Sequence, residues 1–93
     1  MNFLWNQDKN HILKTERDVC FEDVVTLINE GDILDIIKHP NQKKYPEQKI
    51  YVVLLHGYVH MVPFVRDSNE IFLKTIVPSR KMHKLYKGDR DEV

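Results

Sequence analysis

Apolar positions follow two regimes along the chain, with helical spacing before Gly31 and two-residue alternation after it. Phe3 and Trp5 fall on one side of an extended start, and Asn6 is placed to cap a helix whose first turn carries Asp8. Lys9, Asn10, Ile12, Leu13 and Arg17 then read as an amphipathic helix of about three turns, with Ile12 and Leu13 turned inward. A second helix opens at Cys20, with Glu22 and Asp23 in its first turn. Phe21, Val24, Val25, Leu27 and Ile28 give it an apolar face, and Gly31 ends it. Cys20 stands where Ser, Thr or Asp would supply a side-chain cap, so this helix start is expected to be weaker than it could be.

Beyond Gly31 the branched residues at 33–37 predict a strand, and Pro40 and Pro46 keep the following loop out of any sheet interior. Residues 49–55 and 58–65 predict a hairpin through a tight His56-Gly57 turn. Asp67-Ser68-Asn69 turns the chain into a further strand at 71–77. Ser79 is placed to cap a short helix bearing Arg80, Lys81, His83, Lys84 and Tyr86, which Gly88 stops. The expected fold is therefore α+β: two N-terminal helices packed on a meander of about three to four antiparallel strands, with a short C-terminal helix. It fills one domain over residues 1–88, with 89–93 as a mobile tail, and leaves the second face of the sheet open to bind something.

Composition narrows the function classes. At 93 residues the chain supports one core, and 42% hydrophobic with 30% charged residues is the globular norm. The longest apolar runs, at 24–28 and 50–55, fall far short of the roughly 20 residues of a membrane helix. The start lacks the basic and apolar regions of a secretion signal, and Cys20 has no second cysteine to pair with, so a cytoplasmic location is expected. The formal charge is zero, which argues against a general nucleic-acid binder. It is unevenly spread: residues 1–37 carry three basic against eight acidic side chains, and the remainder eleven against six.

The alternation at 58–65 puts Tyr58 and His60 on one side of a strand, and Lys74, Arg80 and Lys81 follow at the end of the sheet. Cations with Tyr and His on a half-open sheet can grip an RNA phosphate, stack a base and move a proton. RNA cleavage needs no metal, because the 2′-hydroxyl is the nucleophile and the protein supplies a base, an acid and a cation. Arg80, Tyr86 and His60 are the catalytic candidates, and Lys74, Lys81, Lys84 and His83 the RNA-binding ones. The plainer reading of the terminal basic run is a solvated helix face. His56 and His60 have metal-like spacing but no third ligand, and no Gly-rich phosphate loop or Gly-x-Ser-x-Gly is present, so no metal or cofactor is expected.

The stretch Phe3-Leu4-Trp5-Asn6-Gln7-Asp8-Lys9-Asn10, with Leu13, Arg17 and Phe21-Glu22-Asp23-Val24 after it, resembles the start of BrnT-type toxins, which read F-x-W-D-x-x-K-N and later S-F-E-E-A. Ile76-Val77-Pro78-Ser79-Arg80-Lys81 is similar to the closing strand and S-A-R-K segment of that family, with Tyr86 as the downstream tyrosine. The resemblance spans about residues 3–86 and implies a RelE-like ribonuclease fold. It further implies a bacterial type II toxin that cuts RNA, inhibits translation and is neutralised by a BrnA-type antitoxin, meeting operator DNA only through that complex. On this resemblance Arg80 is the phosphate contact, while Trp5 packs and Lys9 pairs locally. Cys20 for serine, Pro78-Ser79 for Ser-Ala, a shorter Arg-to-Tyr interval and the neutral charge depart from the pattern. The neutral charge and the altered end motif motivate an alternative, a non-catalytic toxin-like module that binds an antitoxin or another protein partner.

Overall fold

A computed structural model describes residues 1–87; the expected helix stop at Gly88 and the tail 89–93 lie outside the described residues. In chain order the elements are β1 (Asn2–Leu4), α1 (Gln7–Arg17), α2 (Phe21–Asn29), β2 (Asp35–Lys38), β3 (Lys49–Leu55), β4 (Tyr58–Asp67), β5 (Glu70–Leu73), β6 (Val77–Pro78) and α3 (Arg80–Lys87). The class is α+β as expected, but the sheet is larger and mixed. Its order is β1-β5-β4-β3-β2, with β6 also on β4, and β1 runs parallel to β5 with Phe3 opposite Ile71. Three residues are too few to show a period, so β1 read only as an extended start. The strand expected at 71–77 is broken: β5 pairs with residues 64–67 of β4 and β6 with His60 and Met61, on either side of Val62 and Pro63.

Local chemistry accounts for most element ends. Asn6 adopts an extended conformation and its Oδ1 accepts the Lys9 N–H at 2.9 Å, capping α1 as the sequence predicts. Ser79 Oγ accepts the Met82 N–H at 3.2 Å at the start of α3. The hairpin turn has positive φ at both His56 (51°) and Gly57 (77°), the primed geometry whose twist suits flanking strands. Cys20 makes no cap, as expected, while the first amide of α2 is satisfied from another helix. The buried Asn10 of α1 accepts the Phe21 N–H on Oδ1 and donates from Nδ2 to Glu22 Oε1, both at 2.8 Å. That contact holds the Glu22 carboxyl below the usual range, while burial pushes the Cys20 thiol up. Trp5 stacks on Phe21 at 5.7 Å, closing the same corner.

The core has two sides. Leu13, Val19, Phe21 and Val24 from the helical segment cluster with Tyr51, Val53, Leu55, Val62, Phe64, Ile71 and Leu73 on one face of the sheet. Ile12, expected inward, is 49% exposed; at 100° per residue it lies opposite Asn10, which takes the inward position. Ile50, Val52 and Val59 are fully buried yet point to the other face, since β-strand side chains alternate. The expected open second face is thus corrected. α3 packs against β4, and its Tyr86 reaches Asp35, at register with Val52, so this helix crosses that face. Among the described residues no helix is long and apolar enough to cross a membrane.

Candidate functional site

The helices leave one part of their own sheet face uncovered. There a groove of about 320 Å³ is lined by Ile36, Glu47, Lys49, Tyr51, Phe64, Arg66 and Ile71, with no helix residue among them. Alternation builds it: Lys49 and Tyr51 share a face of β3, opposite Phe64 and Val62 of β4, while Arg66 lies opposite Ile71. Tyr51 and Phe64 stack at 4.1 Å and 20° to form the floor. Ile36 and Ile71 form apolar walls, and Glu47, Lys49 and Arg66 are exposed around them.

Four polar groups of different chemistry therefore meet in one concavity. Arg66 donates from Nε to the Ser68 carbonyl at 3.4 Å, a contact that steadies the guanidinium while leaving its terminal nitrogens free of that bond. Burial raises the Tyr51 phenol above its ordinary pKa, and the Arg66 charge opposes this in part. The phenol is thus protonated at neutral pH, and the guanidinium is close enough to be felt. A carboxylate, an ammonium, a guanidinium and a protonated phenol can bind an anion of a phosphate type and carry protons to and from it. None of these four was singled out from sequence. The signal was present as Glu47-x-Lys49-x-Tyr51 and Phe64-x-Arg66, polar and aromatic residues two apart on strands whose other face is apolar.

The residues that were singled out are divided between places. His60 is on the helix-covered face, four residues along β4 from Phe64, which at about 3.3 Å per residue puts it some way from the groove. It is 8% exposed and its Nδ1 lies 2.9 Å from the Tyr58 carbonyl, which assigns the proton to Nδ1 and the acceptor to Nε2. Arg80, Lys81 and Lys84 are exposed on α3, across the sheet. His83 stacks on Tyr58 at 4.3 Å and accepts the Val59 N–H on Nδ1 at 3.2 Å, a contact that anchors α3 to β4. Tyr86 donates its hydroxyl to Asp35 Oδ2 at 2.5 Å, which raises the phenol pKa and lowers that of the carboxyl. Lys74 sits over the Phe72 ring at 5.2 Å. The structure therefore brings Arg80, Lys81, Lys84 and Tyr86 onto one helix, and links His60 to it through the Tyr58 ring, which lies edge-on to His60 at 6.1 Å and stacks on His83.

Burial lowers the His60 pKa, with the nearby His56 and Arg17 charges acting the same way against the pull of the Tyr58 carbonyl. The folded state binds this proton less readily than the unfolded chain, so His60 stabilises fully above the ordinary imidazole value of about 6.5 and loses that contribution as pH falls towards its lowered folded value. Denaturant unfolding between pH 7 and 5 is expected to show stability falling on acidification. His60→Gln should flatten that slope; an unchanged slope in the variant would place the proton uptake elsewhere.

Among the described residues no group of three or more His, Cys, Asp or Glu is placed to hold a metal ion. Comparison with protein-family models, with curated proteins and with solved structures finds no match to this chain.

Proposed function

We propose that this protein is a metal-independent endoribonuclease acting as the toxin of a bacterial toxin-antitoxin pair, with its active site in the groove of Glu47, Lys49, Tyr51 and Arg66. The observation that carries the reading is the meeting of these four side chains in one concavity sized for about one nucleotide. Glu47 takes the proton of the RNA 2′-hydroxyl, whose oxygen attacks the adjacent phosphorus. Arg66 and Lys49 hold the phosphate oxygens and offset the charge that builds on the phosphorane. Tyr51, kept protonated by burial, hands its proton to the departing 5′-oxygen. One O–P bond forms and one breaks, giving a 2′,3′-cyclic phosphate and a 5′-hydroxyl. Lys74, Arg80, Lys81 and Lys84, on the α3 side, attract the polyanion without touching the scissile bond. The likeness of Phe3 to Asn10 and of Ile76 to Lys81 to BrnT-type motifs supports the toxin setting and a BrnA-type antitoxin as partner.

Inducible expression in a bacterium tests the reading. Growth and bulk protein synthesis are expected to stop, and to recover when the neighbouring reading frame is supplied. Arg66→Ala, at equal protein level, should also restore growth, while Arg80→Ala should relieve arrest only weakly. A harmless, folded wild-type chain that still binds the neighbour's product would instead support the non-catalytic module.

A further inference from the structure

Among the described residues strand β2 is an edge of the sheet, with β3 as its only neighbour. The register pairs Asp35 with Val52 and Ile37 with Ile50, and His39 N–H donates to the Gln48 carbonyl at 3.2 Å. Odd-numbered amides along this segment therefore point at β3, and those of Ile36 and Lys38 point outward. An outward amide in a branched, apolar strand is a template for another strand. Leu34 and Ile36 flank it with 40% and 47% exposure.

The Ile36 amide is not left open. Asp35 folds back over it, accepting the Ile36 N–H on Oδ1 at 2.8 Å. Its other oxygen accepts the Tyr86 hydroxyl at 2.5 Å, so α3 holds the carboxylate from across the sheet. One fully exposed side chain thus occupies the only outward donor between Leu34 and Ile37, and a second element fixes its orientation. Neither contact serves the groove chemistry.

We propose that Asp35, anchored by Tyr86, is an edge guard that prevents strand β2 from pairing with β2 of a second copy of this chain. A second copy is the natural occupant, because the outward amides and carbonyls of Ile36 and Lys38 match those of the same strand turned round a two-fold axis at Ile37. In that antiparallel pair Ile37 faces Ile37, Ile36 faces Lys38 and Asp35 faces His39, so apolar meets apolar at the axis and no like charges meet. This guard is independent of whether the groove cleaves RNA.

Light scattering on the full chain across a concentration series tests it, with circular dichroism to confirm folding. Wild type is expected to stay monomeric, and Asp35→Ala to dimerise with a dissociation constant lower by about tenfold or more. Asp35→Asn keeps an acceptor oxygen at the same place and should remain monomeric. Tyr86→Phe leaves Asp35 unanchored and should shift the same way as Asp35→Ala by a smaller amount; it carries the test if the alanine variant does not fold. Adding Ile36→Pro to Asp35→Ala removes the outward N–H without touching the β3 ladder and should return the monomer. A folded Asp35→Ala chain that stays monomeric overturns the proposal, as does a dimer that Ile36→Pro does not reverse or one that Asp35→Asn forms equally well.

Discussion

Replacing Arg66 by alanine is expected to slow RNA cleavage by about two to three powers of ten, the usual cost of removing one preorganised donor from the charge that builds in a transition state. Lys49 remains to hold phosphate, so RNA binding should weaken far less than turnover. Glu47→Gln keeps the shape and removes the base, and a loss of about 10²- to 10⁴-fold is expected. Tyr51→Phe should act mainly on turnover as well, and it preserves the stack on Phe64 that shapes the groove floor. Arg80→Ala on the far side of the sheet should lower activity mainly through binding, with an effect that fades as salt rises. Gel-resolved cleavage of a labelled single-stranded RNA, with binding followed separately, checks all four. Equal losses for Arg66→Ala and Arg80→Ala in turnover would contradict the placement of the site.

The largest stability effect is expected at Asn10. Its amide group joins two helices, accepting the Phe21 N–H that opens α2 and donating to Glu22, at a position only 6% exposed. Asn10→Leu fits the space but leaves the Phe21 N–H buried without an acceptor. The unsatisfied buried donor and the lost bond to the Glu22 carboxylate together cost about 2–3 kcal/mol. For a domain of this size that corresponds to a fall in Tm of about 10–20 °C. Asn10→Asp retains an acceptor but faces the Glu22 carboxylate and should lie between the two. Thermal unfolding monitored by circular dichroism reads the difference, and a Leu variant as stable as wild type would show that this cap carries no weight.

Asn10 also marks how far sequence could take the site and the fold. The spacing turned Ile12 inward and so missed the inward place of Asn10, and its target eleven residues on was not legible either, because a bond from one helix to another has no local pattern. The hairpin of β3 and β4, the Asn6 and Ser79 caps and the His56-Gly57 turn were readable because each rests on adjacent residues. β1 and the break between β5 and β6 were not, since both depend on pairing across the sheet. The groove failed for a related reason. Glu47, Lys49 and Tyr51 alternate plainly, yet Arg66 joins them only through the register of β3, β4 and β5. Basic residues grouped along the chain lie on α3 instead, and Tyr86 there donates its hydroxyl to Asp35.

The most direct test of the groove as an RNA-cleaving site is the product chemistry of purified protein acting on a single-stranded RNA, beside the same RNA with 2′-O-methyl riboses, with chelator present. The account predicts 2′,3′-cyclic phosphate ends from the unmodified RNA, none from the methylated one, and loss of product with Glu47→Gln and Arg66→Ala. Cleavage that tolerates 2′-O-methylation, or that survives both substitutions at the wild-type rate, would contradict it.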